Sequence, residues 1–388
     1  MPDPLLVVTI DRLPAWILPA YGATWVAMPA ATRLAARGVV FDGLVATTDD
    51  PRDTVAALVS WLADLPAGAV AVVADDPGVV GLVPAGEATV VPVATPAATG
   101  DDEAATNLGR LFAAAAAVAA ERRHRVVWCH LSSLGLSWDA PEEFRDAYLD
   151  PDDPPPPPGA EVPDVVVTPA TDPDLAVGLR HVFAAQLTLL DRCLERLVEA
   201  VGSTGGVMLA GLRGMPLGLH GRVGPGPTPP YGESVHLPAV LVDAAGRMAG
   251  QRYGGLVTPA DLGVTLAALH GLPPQPPRDD DHPQRGRNLA GLFDAWLAEG
   301  RDRVITCGAA GVAVTTPGWR LVVPAASGDV PPRSRLFARP DDFLERCDLA
   351  DRSSAVGEEL AAVAEAAGQG RLAEAWAAPL SPAALRSS

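Results

Sequence analysis

Leu5–Asp11 reads LLVVTID, and the stretch that follows it through Arg52 is IDRLPAWILPAYGATWVAMPAATRLAARGVVFDGLVATTDDPR. A short apolar run rich in Val and Ile, ending on one aspartate, predicts a strand buried on both faces. Asp11 then stands at the carboxyl end of that strand, where open α/β sheets place their ligands. Downstream, residues 32–37 read as the tail of a helix stopped at Gly38. Residues 39–41 begin a short strand. Residues 54–64 carry apolar side chains at helical spacing.

Further buried strands are expected at 70–74, 89–93 and 125–131, separated by turns and by an alanine-rich helix over 102–123. Asp75-Asp76-Pro77-Gly78 reads as a turn. Apolar residues at helical spacing (Val182, Leu187, Leu190, Leu194, Leu197) predict a long helix over 174–201. From about residue 301, short strands at 304–306, 312–316, 319–323 and 336–338, joined by Gly and Pro turns, predict an antiparallel sheet with a helix over 355–367 packed on it. The proline runs at 150–158 and 273–283 exclude helix and central strand and read as stiff loops.

Composition narrows the function classes. The chain has 388 residues, 48% of them hydrophobic, and a formal charge of −18. Such a charge argues against nucleic acid or an anionic membrane as partner. No apolar stretch reaches about 18 residues, so no membrane-spanning helix is expected. The opening MPDPLLVVTID lacks the features of a secretory signal. Cys129, Cys193, Cys307 and Cys347 are scattered, which reads as reduced thiols in a cytoplasmic protein.

With these residues in view, the chain resembles the sulfatase family of the alkaline phosphatase superfamily. Asp11 matches the first aspartate of that family's opening Asp-Asp pair. Tyr21-Gly22, Pro29, Leu34, Ala35, Gly38 and Phe41 fill the pattern that follows, and Arg52 matches the nucleophile-motif arginine. Gly214, Leu217, Gly218, His220 and Gly221 resemble the family's second metal-binding loop. Residues 206–211 resemble the strand before that loop. Tyr231-Gly232-Glu233, His236-Leu237-Pro238 with AVLV, the helix at 258–269 with Asp261 and Thr265, and Pro340–Asp351 resemble four later segments. The resemblance implies a large, mixed but mostly parallel sheet flanked by helices over residues 1–298. It also implies a small antiparallel subdomain with a helix over residues 299–388.

The family's chemistry uses a Cys, Ser or Thr nucleophile and a divalent cation (calcium or magnesium) held by several carboxylates. By alignment Thr48 takes the nucleophile's place, with Arg52 and His220 as the other catalytic candidates. Arg12 stands where the second aspartate would be, and Leu212 and Arg213 replace the second strand's Asp and His. Asp11 is the one surviving candidate metal ligand. No cofactor is therefore expected, and an Asp11–arginine ion pair is expected to fill the cation's place. Arg12, Arg52, Arg213 and His220 are candidates for binding a sulfate- or phosphate-type anion without metal. The expected function is an oxyanion-binding or scaffold protein lacking metal-dependent ester hydrolysis. The alternative is an active sulfate or phosphate ester hydrolase that uses Thr48 and, in that case, a divalent cation. Asp49 and Asp50 read as helix-capping residues before Pro51, and His130 as structural.

Overall fold

The computed structural model describes residues 4–94, 102–150, 157–202, 205–269, 271, 286–292, 300–326 and 333–387. Both proline runs lie mainly outside the described residues: 151–156 of the first and all of 273–283. In chain order the strands are β1 Leu5–Asp11, β2 Val39–Leu44, β3 Val70–Ala74, β4 Glu87–Val90, β5 Val126–Leu131, β6 Val165–Val166, β7 Val207–Arg213, β8 Arg222–Val223, β9 Ala239–Val242, β10 Gln251–Val257, β11 Val304–Gly308, β12 Gly311–Thr315, β13 Trp319–Pro324 and β14 Arg335–Ala338. The helices used below are α1 Pro29–Arg37, α2 Pro51–Val59, α3 Asn107–Ala120, α4 Glu142–Asp146, α5 Pro173–Val201, α6 Gly232–Val235, α7 Pro259–Leu269 and α8 Ser354–Gly368.

Eight strands form one sheet in the order β10-β2-β9-β7-β1-β5-β3-β4. Five of them, β7, β1, β5, β3 and β4, run parallel to one another. β9 pairs antiparallel with both β7 and β2. The sheet is thus mixed and mostly parallel, as the sequence implied. β1 lies between β7 and β5, and all seven of its residues are buried. That accounts for its unbroken apolar run: a strand covered on both faces has no solvent side to mark with polar residues.

Contacts group the chain into two units. One comprises Met1–Val40, Leu62–Gly226 and Pro238–Arg252; the other comprises Phe41–Trp61, Pro227–Leu237 and Tyr253–Ser388. The core of the first is built from β1 (Leu6, Val8, Ile10), α3 (Leu108, Leu111, Phe112) and the inward stripe of α5 (Phe183, Leu187, Leu190, Leu194). The Thr106 hydroxyl accepts from Gly109 N at 2.9 Å to cap α3. Gly109 is obligatory there, because a Cβ would lie 2.0 Å from the Glu103 carbonyl oxygen. α1 starts on Pro29, and its cap comes from elsewhere. The carboxylate of Asp191, on α5, accepts from Ala30 N (2.8 Å) and Ala31 N (2.7 Å). Burial raises the Asp191 pKa, against the two backbone bonds that oppose the rise.

In the second unit, β11-β12-β13-β14 make a four-stranded antiparallel sheet, and α8 packs on it. Asp261, at the start of α7, is 1% exposed. It accepts from Thr258 N, from Arg287 N and from both arms of Arg301 (2.8 and 2.6 Å). Among the described residues no helix is long and apolar enough to cross a membrane.

Candidate functional site

The carboxyl ends of β1 and β7 carry Asp11, Arg12 and Arg213 of the residues that the sequence singled out, and that of β5 carries His130. β1 and β7 are in regular register up to Ile10 opposite Gly211, and then the register shifts so that Asp11 faces Arg213. Leu212 is the extra residue of this bulge. Its side chain is fully buried, while the bulge re-aims the strand end and sets Arg213 beside Asp11. Arg213 engages the carboxylate with two arms, Nη2 to Oδ2 at 2.8 Å and Nε to Oδ1 at 3.2 Å. This bidentate geometry is the one in which a guanidinium matches a carboxylate best. The Asp11 side chain is 10% exposed and that of Arg213 24%.

Arg12 follows with φ 65°, in the left-handed region that a long side chain seldom adopts. That turn carries its side chain into the protein, where Nη2 donates to the Pro225 carbonyl at 2.9 Å. Gly135 allows the fit: a Cβ there would stand 3.1 Å from Arg12 Cγ. Burial first, then the charge of Arg213, lowers the Arg12 pKa to about 10, while Asp11 and Asp164 act in the opposite sense. Arg12 therefore remains a cation at neutral pH. Asp164 also binds Arg222 of β8. Arg213 and Arg222 thus each hold their own carboxylate, while Arg12 feels both acids without bonding either.

Next to them is a buried polar ladder. Trp128 Nε1 donates to Thr9 Oγ1 at 2.9 Å, and Thr9 Oγ1 lies 2.9 Å from His130 Nδ1. Burial holds His130 below its ordinary pKa, with Asp75, Asp11 and Asp76 opposing. The His130 ring is thus held inside the protein by its bond to Thr9. Asp76 does cap a turn, accepting from Gly78 N. Asp75 does more than turn the chain. It accepts from Ser132 N (2.7 Å), Ser132 Oγ (2.8 Å) and Ser133 N (2.9 Å), and so fixes the segment after β5 that carries Gly135.

His220 lies in the same unit, half-buried in the turn that joins Leu217 to β8. Gly218 and Gly221 bracket that turn with positive φ, and Arg180 Nε donates to the Leu217 carbonyl at 2.7 Å. Thr48 and Arg52 belong to the other unit, at the head of α2. Thr48 Oγ1 accepts from Asp50 N at 3.1 Å, and Asp50 Oδ1 accepts from Arg52 N at 2.8 Å as the N-cap. Asp49 accepts from Ala309 N at 2.9 Å. The structure thus brings Asp11, Arg12 and Arg213 together. Pro225, Gly135 and Asp164, which the sequence reading passed over, complete the surroundings of Arg12. Only the glycines and prolines near them hinted that backbone approaches closely there.

The divalent cation used by the sulfatase family would need about six oxygen donors. At Asp11 both carboxylate oxygens are engaged by a guanidinium and a second cation lies close. Among the described residues no group of three or more His, Cys, Asp or Glu could hold a metal ion. The donor set at Asp11 does not fit such an ion. What it can do is present positive charge, backed by buried backbone, at the ends of parallel strands.

The fold has clear counterparts among solved structures. The chain is similar to a phosphonate monoester hydrolase of Agrobacterium radiobacter at 16% identity and TM-score 0.70, covering 96% of this chain and 95% of that one. It is similar to a 2-O glycosaminoglycan sulfatase at 14% identity and TM-score 0.71, covering 97% and 93%. A phosphonate monoester hydrolase from Silicibacter pomeroyi matches at 14% identity and TM-score 0.68, covering 96% and 95%. No protein-family profile and no curated protein sequence matches the chain. The chain therefore has the fold of these sulfatases and phosphonate monoester hydrolases over nearly its whole length, at low sequence identity to each.

Proposed function

We propose that this sulfatase-fold chain binds a sulfate- or phosphate-type oxyanion through Arg12 and Arg213, with His220 as a further contact, and does not carry out metal-dependent ester hydrolysis. The observation that carries the reading is the two-armed bond of Arg213 to Asp11. It neutralises the one carboxylate that matches the family's metal ligands. Beside it Arg12 adds a second positive charge, which Asp164, itself paired with Arg222, offsets only in part. A divalent ion placed about 4 Å from one guanidinium would be repelled by roughly 8 kcal/mol at an effective dielectric near 20. An oxyanion in the same place would be attracted.

Three measurements on the purified protein test this. Metal analysis should find no stoichiometric divalent ion. Calorimetry at low ionic strength should show sulfate or phosphate binding, weakened at least about tenfold by Arg12→Met, as expected for loss of a charge-assisted contact. Turnover of aryl sulfate, aryl phosphate and phosphonate monoesters should be absent. A stoichiometric divalent ion together with turnover lost in Thr48→Ala would replace this reading by ester hydrolysis at Thr48.

A further inference from the structure

The second unit contains a buried cation that its surroundings leave short of partners. Arg320, on β13, is fully buried, and none of its three side-chain nitrogens has a hydrogen-bond partner among the described residues. The nearest carboxylate oxygen, Glu345 Oε1, lies 3.3 Å from Nη1 without bonding geometry. Glu345 Oε2 is instead taken by Gly232 N at 2.8 Å. In the antiparallel register Thr315 of β12 stands directly opposite Arg320, so both side chains project from the same face. The Thr315 hydroxyl is also buried and without a hydrogen-bond partner among the described residues. Buried donors are nearly always paired, and a cluster of exceptions marks a missing ion or water.

Charge favours an ion over water. Arg339 lies close enough for Arg320 to lower its pKa, to about 9, with burial the larger cause; Glu345 is the one acid opposing. Glu345 is likewise the one acid acting on Arg320. His236 is pushed down to about 3 by burial, then by Arg339 and Arg320, and is therefore neutral near pH 7. Two guanidiniums act against one carboxylate, and Arg320 itself is fully buried. The space is narrow. A Cβ on Gly232 would lie 2.9 Å from Glu345 Oε1 and 3.2 Å from Arg320 Nη1. A compact ion suits it better than a substituted oxyanion.

We propose that Arg320, Arg339 and the Thr315 hydroxyl enclose a small monovalent anion of the halide class beneath the antiparallel sheet. This site is independent of Arg12 and Arg213. The anion adds folding stability because the unfolded chain does not gather these groups.

The test uses the full chain, with chloride as the probe. Melting temperature is followed as chloride replaces gluconate at constant ionic strength. The wild type should gain on the order of 2 °C per tenfold rise in chloride above the dissociation constant. Arg320→Met should abolish this gain and Thr315→Val should reduce it. Glu345→Gln, which removes the competing negative charge, should shift the response to lower chloride. If Arg320→Met does not fold, the Thr315 and Glu345 variants decide. Bromide-soaked crystals should show an anomalous peak within contact distance of the Arg320 guanidinium. A wild type indifferent to chloride, or variants with the wild-type response, would overturn the proposal, as would a water in place of bromide.

Discussion

Replacing Asp11 by Ala removes the carboxylate that pairs with Arg213 and acts on Arg12. In the wild type Arg213 spans the carboxylate with bonds of 2.8 and 3.2 Å. The side chains are 10% and 24% exposed, so this is neither a surface pair, worth about 0.2–1 kcal/mol, nor a fully enclosed one, whose one-sided disruption costs about 3–5 kcal/mol. Arg213 can turn partly toward water, but Arg12, 8% exposed and tied to the Pro225 carbonyl, cannot easily follow. A loss of about 3 kcal/mol is expected, at the lower edge of the buried range. For a unit of this size that is a fall in melting temperature of about 6–10 °C. Asp11→Asn keeps the shape and one acceptor and should lose less. The double variant Asp11→Ala with Arg213→Met should recover part of the loss, because it also removes the stranded cation. Thermal and urea unfolding of the wild type, Asp11→Ala, Arg213→Met and the double variant provide the cycle. A melting temperature for Asp11→Ala within about 1 °C of wild type would refute the reasoning, since the carboxylate would then be holding nothing.

Three further outcomes are expected. Asp261→Ala, which strands Arg301 and two backbone donors at a 1%-exposed position, should cost at least about 3 kcal/mol and lower soluble yield; an unchanged urea midpoint would contradict it. Asp191→Ala removes the carboxylate that caps α1 from α5; a loss of about 1–2 kcal/mol and faster hydrogen exchange at Ala30 and Ala31 should follow. The pH dependence follows from His236, whose folded pKa of about 3 lies below the ordinary 6.5. The unfolded chain then takes up the proton first on acidification, so its share of stability is whole above pH 6.5. That share falls as pH drops through the window toward 3, with a limiting slope on the order of 1.4 kcal/mol per pH unit. His236→Gln should flatten this part of the stability curve, and equal slopes in the two proteins would dismiss the histidine as its cause.

Much of the architecture was legible locally. LLVVTID announced β1 because a strand covered on both faces needs no alternation, and the helical spacing of Val182 to Leu197 announced α5. Asp50 before Pro51 was readable as a cap because the capping bond spans two residues. The strand β10 went unread: Gly254 and Gly255 interrupt its apolar pattern and resemble a turn, and it lies at the sheet's edge. The start of α2 was placed late, since its first turn carries charge and not apolar spacing. That an arginine would answer Asp11 followed from the replacement of acids by cations, but the pairing bridges 202 positions. Which arginine it would be depended on a bulge that an apolar Leu212 does not betray. Asp75 and Asp191 were opaque for the same reason: their partners are backbone amides on distant segments, and amides have no letter in a sequence.

The bulge at Leu212 also bears on how this protein could be redesigned. One inserted residue reverses which positions of the strand end look toward Asp11. A carboxylate written in at 212 would be delivered to the hydrophobic interior, whereas the same letter at 213 would arrive beside its intended companion. Deleting 212 would close the bulge and leave 213 opposite Asp11 in regular register. An engineer who wants a second carboxylate beside Asp11 must therefore write it at 213, and shortening the strand does not substitute for that edit.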